Sequence, residues 1–102
     1  MSDEIDISPA RAREMVAAGA RLIDVRTTNE FQDGAVRGAV SVPLHTIPMQ
    51  IFKHISKSDQ VVVYCMSGGR SGQAARWLRQ QGVTACYNAG GVAPLIEAFK
   101  AK

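Results

Sequence analysis

Apolar residues in this chain follow two spacings, and the change between them divides the chain into predicted strands and helices. Short apolar or alternating runs are typical of strands, and five of them occur, at residues 5–7, 21–25, 39–42, 60–64 and 83–87. Between these runs, apolar residues recur at the spacing of an α-helix. Examples are Met15 and Val16, the set Ile51, Phe52 and Ile55, and the set Ala74, Ala75 and Leu78. The last stretch, residues 92–99, predicts a terminal helix.

The alternation of strands with helices favours an α/β fold of three layers. A mostly parallel sheet of about five strands would lie between two helical layers, with right-handed crossovers. Residues 61–64 are continuously apolar, as expected of a strand buried on both faces. In sheets of this kind, sites lie beyond the carboxyl ends of the strands. The residues at such ends are Cys65 and the ranges 24–26 and 88–91.

Helix and turn signals mark the borders of these segments. Ser8 followed by Pro9 predicts a helix start. Gly19 and Gly82 predict the ends of two helices. Residues 88–91 read Asn-Ala-Gly-Gly and predict a second glycine loop.

The composition excludes several classes of function. A chain of 102 residues that is 46% hydrophobic and 21% charged fits one ordinary domain, so we expect a single domain over residues 1–102. The net charge of +3 comes from scattered basic residues, so nucleic-acid binding is not predicted. The longest apolar runs are too short to span a membrane. The first residues, Met-Ser-Asp-Glu, are acidic and lack an apolar signal core, so the expected location is the cytoplasm.

The two cysteines, Cys65 and Cys86, form no C-x-x-C motif and no Cys/His cluster with zinc spacing, so no metal site is predicted. Counting alone permits a disulfide between them, but both thiols should be free in a reducing compartment. Cys86 is expected to pack within its strand as a small apolar residue. A resolving thiol is the less favoured interpretation of Cys86.

One stretch, residues 61–72, combines a strand, a cysteine and a glycine turn and reads Val-Val-Val-Tyr-Cys-Met-Ser-Gly-Gly-Arg-Ser-Gly. The N–H groups of the turn and of the following helix start lack intrahelical partners, and the helix dipole adds positive potential. A concave site lined by such N–H groups, here called the bowl, binds anions. Cys65 would sit at its entrance, where a thiol ionises more readily and becomes a nucleophile. Arg70 would add a fixed positive charge.

The loop from Cys65 to Ser71 resembles the active loop of the rhodanese (sulfurtransferase) family, which is written C-x-x-G-x-R-S in many members. Other segments match further family motifs in order and spacing: Asp24-Val25-Arg26, Glu30-Phe31, Gly38-Ala39, Val42-Pro43 and Gly90-Gly91. The resemblance covers nearly the whole chain, which is therefore similar to a single-domain rhodanese with that family's three-layer fold.

The resemblance implies transfer of a sulfane sulfur without a metal or an organic cofactor. The Cys65 thiolate would attack the outer sulfur of thiosulfate or of a persulfide donor and carry it as a persulfide, and cyanide or a thiol would accept it. Expected partners are thus a small anionic donor and a thiol or cyanide acceptor, with a sulfur-relay protein as a further candidate and no nucleic acid or membrane. The substrate-binding N–H groups would stabilise charge on sulfur. They belong to Met66, Ser67, Gly68, Gly69 and Ser71.

The residues around this loop have predicted supporting roles. Arg70 either binds the donor anion or forms an ion pair that holds the loop, and both interpretations stand. Ser71 is expected to cap the following helix rather than to donate a proton. Asp24, Arg26 and Glu30 are expected to give structural support, with Arg26 and Glu30 paired across a helical turn.

Two other functions compete with this interpretation. Cysteine phosphatases and arsenate reductases also place a thiolate in an anion-binding loop, but their loop, C-x-x-x-x-x-R, is one residue longer than the segment from Cys65 to Arg70. A smaller bowl suits a single sulfur atom better than a tetrahedral oxyanion. Alternatively, the domain relays persulfide between proteins or is a binding module with little turnover of thiosulfate.

Overall fold

The computed structural model describes residues 4–100, and its centre is one sheet of four parallel strands. The strands are β1 (Arg21–Asp24), β2 (Val40–Ser41), β3 (Val61–Cys65) and β4 (Cys86–Gly91). They lie side by side in the order β2-β1-β3-β4. Ile23 is opposite both Val40 and Val63, and Val63 is also opposite Asn88. The predicted α/β fold with a parallel sheet is therefore confirmed.

The helices found within residues 4–100 are α1 (Pro9–Ala17), α2 (Thr28–Gln32), α3 (Ile47–Gln50), α4 (Gly69–Gln80) and α5 (Val92–Lys100). Short 3₁₀ turns at Leu44–Thr46 and Ile51–Lys53 flank α3. The predicted start of α1 is confirmed, because the Ser8 hydroxyl accepts the N–H of Arg11 at 3.0 Å and Pro9 is the first helical residue. No helix in this part of the chain is long and apolar enough to cross a membrane.

Two buried apolar clusters on opposite faces of the sheet give the molecule three layers. Every residue of β3 is buried, and its successive side chains alternate between the clusters. The odd-numbered residues of β3 share one cluster with Leu78 of α4. The even-numbered residues share the other with Met15 of α1 and Leu95 of α5. The burial of this strand on both faces is thus as the sequence predicts.

The fifth predicted strand, at residues 5–7, is reduced to a single bridge beside β4. Asp6 is the bridge partner of Asn88. The N–H of Ile7 donates to the Asn88 carbonyl at 2.9 Å, and the N–H of Asn88 donates to the Ile5 carbonyl at 2.7 Å. Pairing stops there because α1 begins directly afterwards. The predicted strand number is therefore one too high, although the segment does lie along the sheet.

β4 lies further along the chain than its apolar pattern predicts. The run at residues 83–87 predicts this strand, but Val83 closes α4, since its N–H donates to a carbonyl of the last helical turn at 3.0 Å. β4 starts later and includes residues 88–91, so the predicted glycine loop is wrong. Gly91 permits a close approach of the two backbones, because a Cβ at this position would lie 2.7 Å from the carbonyl oxygen of Met66. β4 therefore passes directly against the turn that follows β3.

Candidate active site

The candidate site lies where β3 leads into α4, at the end of the sheet where the carboxyl ends of the strands lie. β3 ends at Cys65, and Gly68 precedes α4 with a left-handed φ of +102°. Glycine adopts this backbone angle without a steric penalty. The chain can therefore turn from strand to helix within a few residues, and the start of α4 comes beside the cysteine sulfur.

Several hydrogen-bond donors of this turn are directed at the Cys65 sulfur. The N–H of Gly68 donates to Sγ at 3.0 Å, and the Ser71 hydroxyl lies 3.3 Å from the same atom. Burial raises the pKa of the Cys65 thiol, but the Ser71 hydroxyl and the N–H groups of Ser71, Ser67 and Gly68 outweigh it. The pKa of Cys65 is therefore lowered from its ordinary value of 9.0, which favours the thiolate.

Cys65 is more enclosed than the sequence predicts. The residue is expected at the entrance of the bowl, but it is only 1% exposed. The enclosure arises because all of β3 is buried and because Gly91 brings β4 against Met66. Met66 is itself 49% exposed, so the turn presents its outer side to solvent while the sulfur faces inward. The predicted position of Cys65 at the entrance of the bowl is wrong. A reactant has to reach the sulfur on the inner side of the turn.

Arg70 forms a bidentate ion pair with Glu30 of α2. Nη1 lies 2.8 Å from Oε1, and Nη2 lies 3.1 Å from Oε2. The bond from Arg70, and next the N–H of Thr27, lower the pKa of Glu30 to about 2. The predicted pairing of Glu30 with Arg26 is therefore wrong, since the carboxylate instead joins α2 to the start of α4. Sequence spacing suggests a local partner and gives no sign of one 40 residues away.

Arg26 pairs instead with Asp24, in a buried cluster at the end of β1. The Arg26 guanidinium contacts the Asp24 carboxylate at 2.7 to 3.1 Å, and the two residues are 3% and 0% exposed. Asp24 also accepts the backbone N–H of Arg26 at 2.9 Å. The remaining guanidinium contacts are the Gly34 carbonyl at 2.8 Å and the Tyr64 ring, whose centroid is 5.7 Å away. These bonds compensate both buried charges and tie the end of β1 to the segment after α2.

Ser71 and Asn88 form a buried pair that the sequence does not predict. The cap position of α4 is Gly68, so the prediction that Ser71 caps this helix is wrong. Ser71 is 0% exposed, and its hydroxyl lies 2.6 Å from Asn88 Oδ1 as well as 3.3 Å from the Cys65 sulfur. The sequence predicts Asn88 only as part of a glycine loop at the carboxyl end of a strand, without a role for its side chain. The parallel pairing of β4 with β3 is the signal that puts it beside the cysteine.

Cys86 packs in the apolar core, as predicted, and is 0% exposed. Burial raises the pKa of this thiol to about 12, so it stays neutral and is a poor nucleophile near neutral pH. Both cysteines are free thiols. Among residues 4–100, no three or more side chains of His, Cys, Asp or Glu are grouped so that they could hold a metal ion.

Known proteins share this sequence pattern. The family model for the rhodanese-like domain matches residues 8–97. A sulfurtransferase of Allochromatium vinosum is 39% identical over 82 residues, which cover 80% of this chain and 76% of that protein. Thiosulfate sulfurtransferase PspE of Escherichia coli is 40% identical over 78 residues, which cover 76% of this chain and 75% of that protein. These relatives support sulfurtransferase activity in general.

Solved structures share the fold. The human single-domain sulfurtransferase TSTD1 has a TM-score of 0.73 at 27% identity, over 89% of this chain and 93% of that chain. A rhodanese with anions from Escherichia coli has a TM-score of 0.71 at 38% identity, over 74% of this chain and 91% of that chain. Because the family model spans most of the chain and the cysteine turn has the geometry described above, the chain belongs to the rhodanese-like domain family.

Proposed function

We propose that this chain is a sulfurtransferase that carries a sulfane sulfur on Cys65 as a persulfide. The observation that supports it most directly is the N–H of Gly68, which donates to Sγ of Cys65 at 3.0 Å in a site where the thiol pKa is lowered. A thiolate that is stabilised by fixed donors, without rearrangement of the turn, is what covalent catalysis on sulfur requires.

The proposed reaction has two halves. In the first, the Cys65 thiolate attacks the outer sulfur of thiosulfate or of a persulfide; the donor's S–S bond breaks, and its electron pair leaves with sulfite or with the donor thiolate. In the second, a thiol or cyanide attacks the outer sulfur of the Cys65 persulfide, and Cys65 leaves as the thiolate. Neither half needs an added oxidant, a metal or an organic cofactor. A reducing compartment such as the cytoplasm suits this chemistry, because the thiol has to stay free.

The residues of the turn have proposed roles in this reaction. The backbone of residues 66–71 would hold the transferred sulfur, and the Ser71 hydroxyl would add a further donor. Arg70, which is 37% exposed, would attract an anionic donor at the rim while it remains paired with Glu30. Asp24 and Arg26 would act indirectly, by keeping the end of β1 in place.

The enclosure of Cys65 supports sulfur transfer over phosphate chemistry. The outer sulfur of thiosulfate or of a persulfide is a terminal atom that can approach an enclosed nucleophile alone. A phosphate ester or arsenate shields its central atom with a shell of oxygens, and a residue that is 1% exposed offers little space for it. A cysteine phosphatase or arsenate reductase is therefore the less favoured function.

A persulfide on another protein is the alternative donor. The observation that favours it is the pairing of Arg70 with Glu30, because a guanidinium that already has a carboxylate partner attracts a free anion less strongly than an unpaired one. In that case the domain would act as a relay with little turnover of thiosulfate.

Intact-mass measurement after incubation with thiosulfate tests the proposed function. Wild type is expected to gain one sulfur atom, and Cys65→Ser is expected to gain none while it stays folded. Cys86→Ala is the matched control and should gain sulfur like wild type, because its thiol is buried in the core. Loading from a protein persulfide but not from thiosulfate would select the relay. No loading from either donor, or turnover of a phosphate ester alone, would overturn the proposal.

A further inference from the structure

The side chain of Asn88 makes four hydrogen bonds at the base of the cysteine turn. Its Oδ1 accepts the Ser71 hydroxyl at 2.6 Å and the N–H of Gly90 at 3.0 Å. Its Nδ2 donates to the Gly68 carbonyl at 3.1 Å and to the Asp6 carboxylate at 3.0 Å. The amide uses two acceptor and two donor positions, which is its full capacity. Asn88 thus joins two of the residues whose groups face the Cys65 sulfur, Gly68 and Ser71.

The direction of each of these bonds follows from the chemistry of the partners. A backbone N–H such as that of Gly90 can only donate, and a carbonyl such as that of Gly68 can only accept, so the amide of Asn88 cannot be reversed. Its oxygen therefore faces Ser71. Because this oxygen carries no proton, the 2.6 Å contact requires the Ser71 hydroxyl to be the donor.

An irregularity in β4 brings the amide into this position. The pairing of β3 with β4 shifts by one residue between the pairs Val63–Asn88 and Cys65–Gly91. Gly90 accommodates the extra residue with a φ of +86°. The bulge turns the N–H of Gly90 back to the Asn88 side chain. Asn88 is 8% exposed, so the bonds form in a largely dry environment where an unmet partner is unfavourable.

The Ser71 hydroxyl has one proton and two acceptors within reach. One is Asn88 Oδ1 at 2.6 Å, and the other is the Cys65 sulfur at 3.3 Å. While the proton is on the Asn88 side, the hydroxyl offers only a lone pair to the sulfur, which suits a neutral thiol. When the sulfur carries negative charge, a charge-assisted bond to it is about twice as strong as a neutral one, so the hydroxyl turns to the sulfur.

We propose that Asn88 is a positioning residue for sulfur transfer, which competes with the Cys65 sulfur for the Ser71 proton and so makes the Ser71–sulfur bond depend on the charge of the sulfur. The proposal rests on the proposed function for its catalytic meaning. The hydroxyl turns back to Asn88 when the negative charge moves from Sγ of Cys65 to the outer sulfur, as it does when the persulfide forms. No covalent bond changes in this step, because only the hydroxyl rotates.

Titration of the Cys65 thiol in Asn88 variants tests this competition. Asn88→Asp strengthens the competitor and is expected to raise the pKa of Cys65 by about one unit. Asn88→Ala removes the competitor, so the Ser71 hydroxyl bonds to the sulfur and the pKa of Cys65 is expected to fall. The pKa is read from the pH dependence of alkylation by iodoacetamide, followed by intact mass. Cys86 should not react with iodoacetamide over the pH range of this titration, because it is buried.

The Ser71→Ala background separates competition from a plain charge or folding effect. In that background, the rise in the Cys65 pKa caused by Asn88→Asp should fall to less than half, because only the direct electrostatic effect of the new carboxylate on the sulfur remains. Asn88→Ala should no longer lower the pKa of Cys65. The charged side chains linked to this cluster, Arg70, Glu30, Asp24 and Asp6, are the same in all six proteins, which are wild type and the two Asn88 variants with and without Ser71→Ala. Equal effects with and without the Ser71 hydroxyl would overturn the proposal.

Asp6→Asn is the matched control. Asp6 contacts the nitrogen of the Asn88 amide and not the oxygen that faces Ser71, and the substituted residue keeps an acceptor while it loses its charge. It should not raise the pKa of Cys65. If the two Asn88 variants shift this pKa in the same direction, the role is structural only and the proposal fails. Since alkylation needs no sulfur donor, failure of the proposed function, seen as no mass gain from thiosulfate, remains a separate result.

Discussion

Arg70 combines a structural contact with a position at the rim of the candidate site. Its guanidinium is paired with Glu30, yet its side chain is 37% exposed, so it can attract an anion without losing its partner. We predict that Arg70→Ala raises the KM for thiosulfate about tenfold, which corresponds to about 1.4 kcal/mol of lost attraction, and changes kcat less. Steady-state formation of thiocyanate from thiosulfate and cyanide measures both constants.

Glu30→Gln provides the control for Arg70. Glutamine preserves the capping box that Glu30 forms with Thr27 at the start of α2, but it releases the arginine from its carboxylate partner. The KM for thiosulfate should then stay the same or fall. If both variants raise KM equally, or if Arg70→Ala leaves KM unchanged, Arg70 acts only through the ion pair and holds the turn.

Residue roles could be predicted from the sequence where they depend on the local chain. The N–H groups beside Cys65 follow from a strand, a glycine turn and a helix start in succession, all of which lie within a few residues. The partners of Glu30 and Ser71 do not follow from it, because Glu30 binds a residue 40 positions away and Ser71 binds one 17 positions away. Burial of Cys65 does not follow from the local sequence either, since it depends on how closely β4 approaches.

Elements were predictable where a boundary has a local cause. Ser8 and Pro9 begin α1 through a cap and a preset φ, and the burial of β3 on both faces follows from its apolar run. The position of β4 was not predictable in the same way. Asn88 and two glycines are typical of loops, but here pairing with β3 and contact with the cysteine turn extend the strand through them. Tertiary contact outweighs local preference in this strand.

The close approach of β4 to the turn predicts the result of a substitution at Gly91. A Cβ there would lie 2.7 Å from the Met66 carbonyl oxygen, so Gly91→Ala has to displace the turn or the strand. We expect a loss of stability of about 1–3 kcal/mol together with a marked loss of sulfur loading, because the N–H groups around Cys65 would move. Urea denaturation and the intact mass after thiosulfate measure the two effects.

Gly38→Ala distinguishes loss of stability from loss of the site. Gly38 has a φ of +90°, which is strained for alanine, but an added Cβ would meet nothing within 4 Å. This variant should lose stability while its folded fraction still takes up sulfur. Equal loading by the two variants at equal folded fraction would contradict the claim that Gly91 sets the position of the turn.

At the scale of the whole molecule, one sheet carries both the site and the core. The turn, the ion pair of Arg70 and the amide of Asn88 lie at the carboxyl edge, while the interiors of the strands supply the apolar residues of both clusters. The two cysteines illustrate this division. Both are buried, yet the pKa of Cys65 is lowered by hydrogen bonds at the edge, whereas the pKa of Cys86 is raised by burial in the core.

This contrast predicts opposite effects of the two thiols on the pH dependence of stability. For Cys86, the pKa rises from 9.0 to about 12 on folding, so its contribution is fully present below pH 9. It is lost as the pH rises from 9 towards 12, because the unfolded chain releases this proton first. The slope is at most about 1.4 kcal/mol per pH unit in that interval. Cys65 has a lowered pKa, so its contribution is present above pH 9 and is lost as the pH falls.

Urea denaturation at pH 8.0 to 10.5 measures this difference in wild type, Cys86→Ala and Cys65→Ala. Cys86→Ala leaves a small cavity that lowers stability at every pH, so the slope of the free energy of unfolding against pH is the relevant quantity, and not its absolute value. Above pH 9, wild type should lose stability more steeply than Cys86→Ala, because only wild type has the neutral core thiol to lose. Cys65→Ala lacks the thiolate and should gain less stability than wild type between pH 8 and 9. Parallel slopes for all three proteins would show that neither thiol changes its pKa on folding, and the electrostatic basis proposed for Cys65 would then fail with that of Cys86.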